Sequence, residues 1–161
     1  MRVLVKHIMK SPVVSLLAEQ TLPFAVEIME FRHVRHLPVI DDLGRLVGLV
    51  SHRDLLGAQA SSLTPLDADG RRELESRIRV ADIMHRDVWT TRADVPAAAA
   101  GRMLLRSRFG CLPVVDETGR VLGIVTDNDF LRLAVVALTD VDEAAGLAGP
   151  EAPGAELARI G

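Results

Sequence analysis

Residues Val5 to Leu56 recur as Val80 to Leu131 at a constant offset of 75 without a gap, and 16 of the 52 pairs are identical. The matched positions include Ile8/Ile83, Met9/Met84, Leu37/Leu112, Pro38/Pro113, Asp41/Asp116, Gly44/Gly119, Gly48/Gly123 and Asp54/Asp129. Such self-similarity constrains the architecture before any local motif does. A 52-residue unit buries too little surface to be comfortably stable alone, so the copies are expected to pack on one another. They should form a pseudo-twofold module whose matched motifs face each other across its middle.

With 161 residues, 48% hydrophobic and 25% charged, the chain has the composition of an ordinary globular protein. Its net charge is −3, with 19 Lys and Arg scattered among 22 Asp and Glu. That distribution argues against a nucleic-acid or membrane-binding face, which needs concentrated positive charge. Tyr is absent and Phe and Trp are few, so single-stranded nucleic acid would find few stacking platforms. Cys111 is the only cysteine, which excludes an intrachain disulfide, and a small buried hydrophobe is the expected role for it. No secretory signal opens the sequence and no segment approaches a membrane span, so a cytoplasmic location is expected.

Each copy follows one script. In the first, VKHIM (5–9) precedes a β-prone run Pro12–Ser15, a helical stretch from Thr21 to Arg32, two β-prone runs around an acidic turn ending at Gly44, and a helix from about Ser51. Thr21 is the expected N-cap, with Pro23 tolerated in the first turn. The second copy repeats this with VADIM (80–84), Val88–Thr91, a helix capped by Asp94, a turn ending at Gly119 and a helix from about Thr126. The order is β-α-β-β-α, twice. The expected boundaries are 1–60 for the first repeat, 61–79 for a connector, 80–138 for the second repeat and 139–161 for a poorly ordered tail rich in Ala, Gly, Pro and Glu. Within the connector, RRELESRI reads as helical, with Asp69 as its cap.

The sharpest chemical signal is a repeated tetrad. Gly48-Leu-Val-Ser51-His-Arg-Asp54 matches Gly123-Ile-Val-Thr126-Asp-Asn-Asp129. In both, an apolar pair ends a strand, a hydroxyl residue stands at a helix start and an Asp follows in the first turn. A carboxylate there is an acceptor-only group suited to gripping a vicinal diol such as ribose. The helix start offers free N–H groups to a phosphate. The plainer reading is a capping box, in which the Asp satisfies backbone donors.

The patterns [VI]xxIM, LPV[VI]D and GR[LV][VL]G[LI]V[ST]xxD, each present twice, resemble a pair of CBS (cystathionine-β-synthase-type) domains over about 130 of the 161 residues. The resemblance implies an α/β (α+β) fold in which two β-α-β-β-α repeats pack through their sheets, leaving two clefts related by the pseudo-twofold. It also implies a regulatory module for energy sensing through adenosine-type ligands: AMP, ADP, ATP, S-adenosylmethionine or NAD. Carried over, the ribose–phosphate residues are Ser51, Asp54, Thr126 and Asp129, the base-lining residues are Val13, Val14, Val88 and Trp89, and the phosphate residues are Arg35 and His36. Trp89 could equally be a partly buried strand residue. A homodimer and a separate regulated protein are the implied partners, with no obligatory cofactor and no catalytic role.

The copies differ where charge matters. Arg35, His36, His52 and Arg53 of the first copy are replaced by Gly110, Cys111, Asp127 and Asn128 in the second. A phosphorylated ligand is therefore expected at Asp54. The Asp129 cleft should bind more weakly, or take an uncharged or cationic adenosyl group, or need Mg²⁺ to hold a polyphosphate. Two rival functions remain: a structural dimerisation module that binds no nucleotide, and a metal-dependent nucleotide hydrolase using His33, His36 and Asp54. No P-loop, nucleophile elbow, dinucleotide fingerprint or HExxH motif supports an enzyme.

Overall fold

The hairpin of each copy follows directly from its residues. In a computed structural model of the chain, which describes residues 2–59, 65–107 and 109–144, β2 (His36–Ile40) pairs antiparallel with β3 (Leu46–Ser51), and β4 (Cys111–Val115) with β5 (Val121–Thr126). The registers are equivalent at the offset of 75: His36 faces Ser51 and Cys111 faces Thr126, and both ladders shift at one point, Val39/Ile40 and Val114/Val115. The turns are built alike. Asp41 Oδ1 accepts from the N–H groups of Leu43 and Arg45 at 3.0 and 2.9 Å, and Asp116 Oδ1 accepts from those of Thr118 and Arg120 at 2.8 and 3.0 Å. Gly44 and Gly119 follow at φ of +76° and +82°, a region costly for a residue with a β-carbon. The repeated Asp and Gly of the turns are thus structural.

The first strand is weaker and lies later than the sequence suggested. Instead of Pro12–Ser15, β1 is Leu16–Leu17, pairing parallel with β2 through Leu16 and Val39. Pro12 has no N–H to give to a ladder. In the second copy the equivalent contact is a single parallel bridge, Thr91 to Val114, so no strand forms at Val88–Thr91. Thr91 occupies the place of Leu16 and puts a hydroxyl there; Thr91 Oγ1 is buried without a hydrogen-bond partner.

The helices follow the expected order with shifted caps. Helix α1 (Leu22–Arg32) has Thr21 at its N-cap, although the hydroxyl makes no capping bond; α2 (His52–Ala58) has Ser51 there. Helix α3 (Ala68–Ser76) lies in the connector and is capped by Asp67, which accepts from Gly70 N–H at 2.8 Å, rather than by Asp69. Helix α5 (Ala97–Leu104) starts after Pro96, not at Asp94, because a proline can take the boundary position without losing a helical N–H bond.

The sequence boundary at Val80 does not divide two cores. A short helix, α4 (Val80–Ile83), opens the second copy, yet Val80 and Met84 are packed with Leu16, Leu22, Met29, Leu37, Val39, Val50 and Leu55 of the first. Backbone bonds fix the exchange symmetrically. Val80 N–H donates to Gln20 C=O (2.8 Å) while Val5 N–H donates to Val95 C=O (2.9 Å), and Leu22 N–H to Ile78 C=O (2.9 Å) while Ala97 N–H to Val3 C=O (2.9 Å). Each copy's opening segment therefore lies against the other copy. The sheets also meet: Leu46 N–H donates to Gly119 C=O and Val121 N–H to Gly44 C=O, both at 3.0 Å, and Leu49 clusters with Cys111 and Ile124.

By its packing the chain divides into two units, the first ending at Asp127 and the second starting at Asn128. The last helix, α6 (Asp127–Ala144), continues six residues into the tail expected from 139, since Thr139 to Ala144 are helical; residues 145–161 of that tail lie outside the described residues, as do residue 60 and 61–64 of the connector.

Candidate ligand-binding site

The two repeated glycines place what surrounds them. A β-carbon on Gly48 would come 2.6 Å from Met84 Sδ and 3.1 Å from the His85 carbonyl; one on Gly123 would come 2.6 Å from the Lys10 carbonyl and 3.1 Å from Met9 Sδ. The Met of each IM motif thus rests on the glycine of the other copy's last strand. Leu49 and His85 exchange both backbone hydrogen bonds at 2.9 Å, as Ile124 and Lys10 do at 3.0 and 2.9 Å. This fixes His85 next to the end of β3.

At that end, Ser51 leaves the strand with φ −100° and ψ 160° and caps α2. Asp54 Oδ2 accepts from Ser51 N–H at 2.7 Å and Ser51 Oγ–H at 2.6 Å, and Asp54 N–H points to Ser51 Oγ at 3.3 Å. The capping box is therefore real, and it occupies one carboxylate oxygen. The other, Oδ1, lies 2.9 Å from His85 Nε2. Burial pushes the Asp54 carboxyl up, but the hydrogen bonds from Ser51 and His85 outweigh it and hold the group below the usual carboxylate range.

His36, opposite Ser51 on β2, is half-buried in the same region. Burial lowers its pKa, against the opposing effects of a hydrogen bond to the backbone of Phe109 and the nearby carboxylates of Asp127 and Asp54. Phe109 also packs on the His85 ring, with centroids 4.9 Å apart and planes tilted by 59°. His36, Ser51, Asp54, His85 and Phe109 thus form one cluster, drawn from both copies. His85 and Phe109 were missing from the sequence reading. The available signal was the position of His85 directly after the IM motif, where the first copy has Lys10.

The other expected residues divide. Val13 and Val88 flank the central Leu49–Cys111–Ile124 cluster, a symmetric pair in the middle of the module. Val14 packs against the first copy's core, and Trp89 is 45% exposed, so these two do not share that position. Arg35 is exposed. In the second copy Thr126 ends β5 and Asp129, in the first turn of α6, is buried. Gly110, replacing Arg35, has φ +67°, and a β-carbon on it would come 3.1 Å from Asp127 Oδ2. Cys111, replacing His36, is buried, and burial together with the Asp127 charge pushes its thiol up to about 12.

His33 and His36 do not share a helical face. His33 ends α1 in the left-handed region at φ 52° and His36 lies in β2. Among the described residues no group of three or more His, Cys, Asp and Glu is arranged to hold a metal ion. None of their helices is long and apolar enough to cross a membrane. Two hollows, about 380 Å³ beside Arg92, Asp94 and Asp116 and about 390 Å³ beside Pro23, Gln59 and Arg72, lie away from Asp54.

The family model for the CBS domain matches twice, over residues 5–61 and 80–136. A CBS domain-containing protein of Dictyostelium discoideum is 32% identical over 141 residues, covering 88% of this chain and 97% of its own length. The next curated relatives are longer, and the chain spans 21% to 24% of their length. Among solved structures, a CBS domain pair in complex with 5′-methylthioadenosine and S-adenosylmethionine superposes with a TM-score of 0.72 at 27% identity, covering 85% of this chain and 99% of that one. The pair protein CBSX2 from Arabidopsis thaliana, in complex with AMP, gives 0.68 at 30% identity, covering 83% and 97%.

Proposed function

Because the chain belongs to the CBS-domain family and carries two of its repeats, we propose that it is a regulatory module that binds an adenosine-type ligand at the Asp54 cluster and signals its occupancy to a protein partner. One observation carries this reading. Asp54 is held ionised and placed by Ser51, with His36 and an aromatic pair beside it, at the end of a strand that packs on the other copy. Two relatives crystallised with adenosine compounds support the ligand class. In this reading Asp54 Oδ1 takes the sugar diol, His36 and Arg35 face the phosphate, and Val13 and Val88 border the base. Thr126 and Asp129 serve a second, weaker site that has Gly110 and Cys111 where the first has Arg35 and His36. The module is regulatory and does no chemistry on the ligand.

Calorimetry with AMP, ATP, S-adenosylmethionine and NAD tests the proposal. AMP should bind, and Asp54→Asn should reduce its affinity far more than Asp129→Asn. Equal losses would remove the asymmetry between the sites. Silence toward all four compounds, at millimolar concentration, would remove the ligand reading. A bound ligand should also raise the melting temperature, by an amount equivalent to about 2.7 kcal/mol at a hundredfold excess over Kd.

A homodimer belongs to the same proposal. Leu131, Val135 and Leu138 follow an i, i+4, i+7 spacing on α6 and are each more than half exposed. Such an apolar stripe fits a second copy. Light scattering on Leu131→Glu/Leu138→Glu should show a monomer where the wild type is a dimer.

A further inference from the structure

We infer that His85 is a built-in competitor for the ligand diol, a specificity residue that holds Asp54 Oδ1 until a ligand able to replace it arrives. The inference rests on the proposed ligand reading and adds a residue and a mode of regulation to it. A carboxylate offers about four lone-pair sites, two on each oxygen. Both sites of Oδ2 are taken by Ser51, through its N–H and its Oγ–H, in the bonds that start α2. What Asp54 can offer a ligand is therefore Oδ1, and His85 Nε2 stands 2.9 Å from it. A vicinal diol brings two O–H donors, so it needs the position that His85 holds.

The surroundings allow the exchange. The backbone of His85 is fixed by its two hydrogen bonds to Leu49, so only the side chain has to move. That side chain is 48% exposed, and its ring meets Phe109 on one side, so rotation carries it toward water without opening the core. Among the described residues, the charges that act on His36 in this cluster are those of Asp127, Asp54 and Arg35. With Nε2 donating, the His85 proton is on that nitrogen. The competing bond is partly exposed, so its removal should be felt as a modest change in affinity rather than an all-or-none switch.

The test compares AMP with 2′-deoxy-AMP on the full chain, by calorimetry, for wild type, His85→Ala and His85→Gln. His85→Ala should bind AMP about two- to fivefold more tightly, as expected for loss of a partly exposed pair. The gain should shrink for 2′-deoxy-AMP, which has no diol to claim Oδ1. His85→Gln, which keeps an N–H donor of similar reach, should stay near wild type, and His85→Leu, which keeps bulk against Phe109 without a donor, should repeat the gain if His85→Ala melts without a cooperative transition. Unchanged or weaker AMP binding in His85→Ala overturns the competitor while leaving the ligand reading standing. An equal gain for both nucleotides overturns it as well, since the diol would then not be what competes. If no variant and no wild-type protein binds either nucleotide, the ligand reading and the competitor fall together.

Discussion

The two copies share one backbone and differ in what they place on it. Leu16–Val39 and Thr91–Val114 are the same parallel contact, His36–Ser51 and Cys111–Thr126 the same antiparallel one, and the exchanged opening segments are bonded in equivalent positions. The residues that secure this symmetry are those the duplication preserved: Asp and Gly in the turns, Gly under Met, and Leu-Pro-Val in the middle strand. The residues that could discriminate a ligand were not preserved. His36 became Cys111, Arg35 became Gly110, and the position after the IM motif is Lys10 in one copy and His85 in the other. A duplicated fold can thus keep its geometry while matched positions acquire different chemistry.

The largest expected effect asks how symmetric the glycine contacts are. On Gly48 an added methyl meets first the flexible end of Met84, but on Gly123 it meets the Lys10 backbone carbonyl at 2.6 Å. Overpacking costs about 1–3 kcal/mol. Gly123→Ala should sit at the upper end, about 3 kcal/mol, and Gly48→Ala near about 1 kcal/mol, because Met84 can turn aside. Urea denaturation of both variants decides it. Equal losses would mean that Met84, together with the His85 carbonyl 3.1 Å from the same position, yields no more than the Lys10 backbone does.

Legibility followed the same division. The hairpins, the turn Asp and Gly, and the helix starts at Ser51 and Thr126 could be read because each is a local pattern with a local cause. The exchange of opening segments could not. Nothing in VADIM says that Val80 packs with Leu22 rather than with its own copy, since an apolar pair looks the same in either core. The pairing of Asp54 with His85 was hidden for a related reason: the residues are 31 apart, and only the Leu49–His85 backbone pairing brings them together. The first strand was misplaced because Val13 and Val88 owe their apolar character to the centre of the module, not to a ladder.

A smaller effect concerns the weaker parallel edge of the second copy. Thr91 carries a buried hydroxyl with no partner where the first copy has Leu16. An unsatisfied buried polar group costs about 1–3 kcal/mol. Thr91→Val, which keeps the shape, should stabilise the protein by about 1 kcal/mol in urea denaturation. No change would show that the hydroxyl is hydrated, and that the two edges are closer in character than their residues suggest. Ser51→Ala should move stability the other way by about 1 kcal/mol, through loss of the α2 cap.

The smallest effect is a pH dependence that only the first copy should show. Burial lowers the His36 pKa below its usual 6.5, so in this range the unfolded chain binds a proton more readily than the fold does. The stability that follows from a neutral His36 is fully present above 6.5 and is lost as pH falls from there toward the lowered folded value. Cys111, its counterpart, has a thiol raised to about 12 and gains no charge in that window. The lowered Asp54 carboxyl acts further down: its contribution is fully present above the ordinary value of 3.8 and is lost as the pH falls from there through the lowered folded value. Urea midpoints of wild type and His36→Gln, measured from about pH 7.5 to about pH 5.5, isolate the histidine. The wild type should lose stability more steeply than the variant as pH falls. Parallel curves would mean that protonated His36 is stabilised by Asp54 and Asp127 as much as burial opposes it, and the matched positions His36 and Cys111 would then differ in hydrogen bonding rather than in titration.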